Sequence, residues 1–138
     1  MNTLPVLSSA SVTALIVLFY LFTAIRVGIL RGKHGIRAPL CTGHPQFDRA
    51  YRVQLNTLEQ MGIVLPLLWL TTLYPVLGGW PGPAIAVIWV IGRPLYSAAY
   101  MADPDKRIAA AGIGGLCNVA LLITALIGIG AAWLHTLL

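Results

Sequence analysis

Five positions in the first half of the chain, Arg49, Arg52, Asn56, Glu59 and Ile63, are separated by three, four, three and four residues. That spacing stacks side chains on one face of an α-helix. A second set, Arg93, Tyr96, Tyr100 and Arg107, is separated by three, four and seven, and reads as another stripe. Arg49, Arg52, Arg93 and Arg107 are set against Glu59 and Asp103. One arrangement pairs Glu59 with an arginine across the molecule and binds nothing. Arginine so outnumbers acid, however, that positive charge is left over. Surplus guanidinium of this kind suits an anionic ligand held by charge-assisted hydrogen bonds.

The elements that carry these stripes belong in a membrane. Hydrophobic residues make up 58% of the 138 and charged residues 9%, against roughly 25% charged in a soluble domain. So few charges cannot coat a water-exposed surface. Residues 4–25 form an uncharged run long enough to cross about 30 Å of hydrocarbon. A cleaved signal peptide wants a basic start, and Met1-Asn2-Thr3-Leu4-Pro5 has none. A loop follows over residues 31–47, rich in Gly, Pro and His, with Arg31, Lys33 and Arg37. The second span is expected from about Asp48 to Leu77, its first half polar. An uncharged turn over 78–83 leads to a third span over 84–101, which contains Arg93. A short charged loop, 103–107, precedes a fourth span over 108–134, whose Ala/Gly-rich start at 109–115 suits close helix packing.

The expected fold is therefore all-α: one domain, residues 1–138, forming an antiparallel four-helix bundle in the membrane. Its first and third connections hold the basic residues, and its second connection and termini hold none. The positive-inside rule then puts both termini outside and both charged loops in the cytoplasm. It also accounts for the net charge of +5 without nucleic acid. An Arg or acid at a helix centre costs about 2.5–3.5 kcal/mol on the insertion scale. The stripes must face one another, a neighbouring subunit or a wet cavity, and the surplus cation calls for an anionic ligand from the cytoplasm.

Other residues carry weaker signals. His34 and His44 sit in the first loop and His135 at the far terminus, which does not gather metal ligands. Cys41 and Cys117 make neither a disulfide framework nor a metal spacing. Trp69, Tyr74, Trp80 and Trp133 read as interface anchors or lipid-facing bulk. Pro66 and Pro94 are candidate kinks, and Asn118 a candidate for bonding across helices.

The segment Arg52-Val53-Gln54-Leu55-Asn56-Thr57-Leu58-Glu59 resembles the R-x-Q-x-N-x-x-E signature of the MAPEG family, the membrane-associated proteins in eicosanoid and glutathione metabolism. Residues 39–51 look like that family's first cytoplasmic loop. Arg93-Pro94-Leu95-Tyr96, with Tyr100 and Arg107, is similar to its R-x-x-Y-x-x-x-Y pattern and downstream arginine. The resemblance covers nearly the whole chain. It implies a homotrimer with glutathione bound between neighbouring subunits near the cytoplasmic face. Arg31, Arg52, Gln54, Asn56, Glu59, Arg93, Tyr96 and Tyr100 would bind glutathione, and Arg107 would stabilise its thiolate. Gln60 departs from the pattern, standing where the cysteinyl-leukotriene synthases have tyrosine, which removes one phenol contact.

The chemistry implied suits the residues. Glutathione carries two carboxylates and one ammonium, so several arginines and one glutamate complement it. A thiol of pKa about 8.5 is only slightly ionised at neutral pH. Lowering it to about 6.5 takes roughly 2.7 kcal/mol, the order that one arginine bonded to sulfur in a partly dry site supplies. The expected activity is a glutathione transferase acting on hydrophobic electrophiles from the bilayer, with reduction of lipid hydroperoxides as a further capacity. No metal is called for. The alternative is a non-catalytic member resembling the lipoxygenase-activating protein, which binds a lipid or a partner. Short loops and the lack of a targeting extension point to a bacterial inner membrane.

Overall fold

The computed structural model describes residues 3–103, 105 and 107–138, with residues 107–110 described by backbone alone. Helix α1 spans Thr3–Lys33, α2 Pro45–Leu73, α3 Pro81–Ala102 and α4 Arg107–Leu137, and a single 3-10 turn, Leu77–Gly79, joins α2 to α3. No strand occurs among the described residues.

Local chemistry sets the helix ends. Pro45 opens α2, where a missing N–H costs nothing. His44 precedes it in extended conformation, and its Nδ1 accepts the Gln46 N–H at 3.2 Å. Asp48, in the first turn, accepts from Gly43 N and Thr42 Oγ1, both at 3.0 Å. The helix stops at Leu73 rather than at the expected Leu77, because Pro75 lacks an N–H and restricts Tyr74 before it. Leu77, Gly78 and Gly79 then turn back with positive φ. At Gly79 a Cβ would come within 3.0 Å of Pro5 Cβ, so this turn packs tightly on the start of α1. Helix α3 begins at Pro81, three residues before the expected start, since proline is at home in a first turn. Helix α1 runs through Lys33, which puts Arg31 on its last turn rather than in a loop. Neither Pro66 nor Pro94 interrupts its helix.

The third connection changes the second stripe. Helix α3 ends at Ala102 and α4 begins at Arg107, so Arg107 does not continue the line of Arg93, Tyr96 and Tyr100. Seven-residue spacing aligns side chains only where the helix is unbroken, and here residue 103 leaves it.

All four helices contribute to the main core: Val12 and Ile16, Val64 and Leu68, Ala86 and Trp89, Cys117 and Leu121. A smaller cluster, Val27, Ile36, Phe47 and Ala50, seals the end that carries the first loop. Ser9 and Thr72 share a buried hydrogen bond of 2.7 Å between α1 and α2. Large apolar side chains such as Leu18, Phe22, Ile91, Leu116 and Leu126 face outward, as lipid requires and water would penalise. Helices α1 and α3, and residues 111–137 of α4, are long and apolar enough to cross a membrane. Helix α2 matches them in length with 29 residues; its polar stripe sets it apart. In the small-residue start of α4, Gly114 is buried against α2 and α3, while Gly112 and Gly115 have open space beside them.

Candidate polar site between helices α2 and α3

Arg93 is only 3% exposed. Its Nη1 and Nη2 both donate to Asn56 Oδ1 at 3.2 Å, and Nη2 also donates to Thr57 Oγ1 at 2.8 Å. The guanidinium lies over the rings of Tyr96 and Trp89, 4.4 and 5.4 Å from their centroids. Tyr96 and Tyr100, with centroids 5.8 Å apart, are buried with Val53 of α2. The two stripes read from sequence therefore meet, through Asn56, Arg93, Tyr96 and Tyr100.

The α2 stripe nevertheless divides. At about 100° per residue, Asn56 lies roughly 40° and Arg49 roughly 60° to one side of Arg52, while Glu59 lies roughly 20° to the other. That rotation turns Asn56 and Arg49 toward α3. Arg49 donates to the carbonyls of Met101 and Ala102 at 3.0 and 3.1 Å, capping the end of α3. Its charge is thereby engaged with a helix C-terminus, where cations are favoured. Arg52 and Glu59 face out of the bundle. Among the described residues no ion pair ties Glu59 to an arginine, and the internal network is built on Arg93 and amide or hydroxyl oxygens instead.

The remaining candidates have distinct positions. Gln54 is half-buried on α2. Arg31 donates through Nη1 to the carbonyls of Leu40 and Ile36, at 2.8 and 3.4 Å, and lies 4.9 Å above the Phe47 ring. It clamps the first loop and belongs to the Phe47 cluster rather than to the Arg93 cluster. Arg107 opens α4, but its side chain lies outside the described residues. His34 and His44 stack face to face, 3.5 Å apart, which presents ring faces rather than converging lone pairs.

Thr57 and Trp89 were not singled out by the sequence stripes. A signal was present: Val53, Thr57, Val64 and Leu68 recur at helical spacing and are all buried, so Thr57 marks the inward face. Gln60 also turns inward, accepting from Asn118 Nδ2 at 2.7 Å. The cross-helix bond expected of Asn118 is thus present, and Gln60 stands apart from outward-facing Glu59. Two apolar clefts, of about 230 and 450 Å³, lie elsewhere, lined by Tyr74, Trp133 and Ile129 and by Leu77, Pro81 and Ile127. Neither adjoins the Arg93 cluster.

This arrangement offers a guanidinium and a carboxylate on one outward helix face, two turns apart. On the same helix Val53 packs with two buried tyrosines, and the Asn56 amide is fixed by a buried arginine. Such a surface complements a zwitterion, the carboxylate of which meets Arg52 and the ammonium Glu59.

Comparison with known proteins agrees with the sequence pattern. The MAPEG family matches residues 9–127. An uncharacterized protein of Synechocystis sp. is 40% identical over 124 residues, covering 87% of this chain and 86% of that protein. Human microsomal glutathione S-transferase 2 is 29% identical over 116 residues, 80% of this chain and 73% of its own. Bovine leukotriene C4 synthase is 30% identical over 100 residues, 72% of this chain and 65% of its own length.

Proposed function

The chain belongs to the MAPEG family, and from that premise we propose that it is a membrane-bound glutathione transferase. Arg52 and Glu59 carry the reading: opposite charges on the outward face of α2, whose Val53 packs with the buried tyrosine pair. The similarity to a microsomal glutathione S-transferase and to a leukotriene C4 synthase supports the same chemistry.

In this reading Arg52 and Arg31 hold glutathione carboxylates and Glu59 holds the ammonium. Gln54, Tyr96 and Tyr100 complete the contacts. Arg93 fixes Asn56, so that the amide meets the ligand in one orientation. Arg107 hydrogen-bonds the sulfur and favours thiolate. The thiolate attacks an electrophilic carbon of a hydrophobic compound dissolved in the bilayer; the S–C bond forms as the leaving group departs with its electron pair. With a lipid hydroperoxide the thiolate attacks the outer oxygen instead: the S–O bond forms as the O–O bond breaks, and the lipid leaves as an alkoxide that is protonated to the alcohol. The glutathione sulfenic acid then reacts with a second glutathione to give the disulfide and water.

An outward site needs a wall, and the proposed wall is a neighbouring copy in a homotrimer. The setting is a bacterial inner membrane, with termini outside and the arginine stripes on the cytoplasmic side, where the basic loops place them. The deciding experiment uses purified protein in detergent. Added glutathione is expected to gain thiolate absorbance in the ultraviolet and to react with an activated aryl chloride at a saturable rate. Binding without thiolate or turnover would instead indicate a non-catalytic, lipid- or partner-binding member of the family. No binding at all would refute the glutathione site.

A further inference from the structure

Two buried polar atoms at the junction of α2, α3 and α4 have no protein partner: the indole N–H of Trp89 and Oδ1 of Asn118. Trp89 is 1% and Asn118 8% exposed. They do not lie at random. Asn118 donates its Nδ2 to Gln60 Oε1 at 2.7 Å. Gln60 Oε1 and Trp89 Nε1 each lie 3.7 Å from the point a Cβ on Gly114 would occupy, and Gly114 is one turn before Asn118 on α4. Trp89 and Gln60 therefore converge beside a glycine on the buried face of α4, and Asn118 joins them through its bond to Gln60.

Amide orientation does not resolve the mismatch. Turning both amides over preserves their mutual bond and exchanges an unpaired acceptor on Asn118 for an unpaired donor. The indole N–H has no alternative orientation. Buried polar groups are nearly always paired with protein or with ordered water, and the requirement is stricter inside a bilayer. A water needs two to four polar partners. Here it finds a donor in Trp89, an acceptor in Asn118 Oδ1 and a free lone pair on Gln60 Oε1.

We propose that a water molecule is bound inside the bundle beside Gly114, accepting from Trp89 Nε1 and donating to Asn118 Oδ1. It ties α4 to α2 and α3 two turns from Arg107. Gly114 is then glycine to leave room for a ligand, not to avoid a clash, because a methyl there meets protein only at ordinary contact distance. This inference does not depend on the glutathione chemistry.

Gly114→Ala separates the two roles. Alanine is the better helix former, so without a bound water this substitution keeps or raises the melting temperature. With the water, the methyl takes its place, and the melting temperature falls by a few degrees below that of Gly112→Ala, where nothing lies within 4 Å. The direct readout is water-to-indole magnetisation transfer by solid-state NMR on protein labelled with ¹⁵N-tryptophan in bilayers, the Trp89 signal being assigned with Trp89→Phe. A transfer peak at Trp89 in the unsubstituted protein, lost in Gly114→Ala, is the expected result. No peak in the unsubstituted protein, a peak that persists in Gly114→Ala, or a Gly114→Ala melting temperature at or above the unsubstituted protein's would each overturn the proposal.

Discussion

Helix α2 shows two polar faces separated by a small rotation. On the inner face, Asn56 and Thr57 accept from a buried arginine of α3, and Gln60 accepts from Asn118 of α4. On the outer face, Arg52 and Glu59 are exposed along the side of the bundle. Both faces carry groups that are costly in a membrane. The inner set is tied together by hydrogen bonds within one chain; the outer set has no ion pair or hydrogen bond among the described residues, and in the proposed function it meets a ligand. Polar residues of similar type thus divide into those bonded inside the bundle and those exposed on its side by rotation about the helix axis.

Arg93→Met is the strongest way to test the inner half of that contrast. It removes the hydrogen bonds to Asn56 and Thr57 and leaves both oxygens in the bundle, at an expected cost of about 3 kcal/mol. Arg52→Met, on the outer face, should change stability by less than about 1 kcal/mol. Unfolding in mixed micelles measures both, and equal losses would erase the distinction.

The remaining substitutions sharpen it. Arg107→Ala should lower turnover by about tenfold to a hundredfold, the share of roughly 2.7 kcal/mol expected from thiolate stabilisation, while glutathione affinity stays within a few-fold. Full turnover with an aryl chloride would end the thiolate role and turn attention to Tyr100. Glu59→Gln should weaken glutathione binding by roughly tenfold to a hundredfold, the worth of one buried charged contact, with little change in melting. A calorimetric titration checks the first and a melting curve the second. Smallest is His44→Ala, which deletes the side-chain acceptor of the Gln46 N–H and should cost about 1 kcal/mol. Its effect belongs to the first loop, so unfolding should shift while the rate per bound glutathione does not.

The second connection and the Arg107 boundary show where reading from residues stops. Pro75 and the glycines after it locate a turn, yet α2 ends four residues before the expected Leu77, because the proline restricts the residue ahead of it. Arg107 fits the α3 stripe arithmetically, but the helix breaks at Asp103. Arg49 was grouped with the surplus cations, and the fold engages it at the C-terminus of α3. That role depends on where another helix ends, which spacing along α2 does not encode.

Composition and periodicity alone determined that this chain forms a bundle of long apolar helices with two polar stripes. Those properties follow from transfer free energies and from 3.6 residues per turn, both local to the sequence. Only the tertiary structure decided which stripe residues pair inside and which face out. Spacings of three and four leave residues up to tens of degrees apart, and the fate of each depends on which neighbouring helix lies across from it. Thr57 became the partner of Arg93, and Gln60 the partner of Asn118, because α3 and α4 deliver a donor opposite each oxygen. Arg52 and Glu59 receive no such donor or acceptor from the described residues, so their charges stay on the outer face of α2.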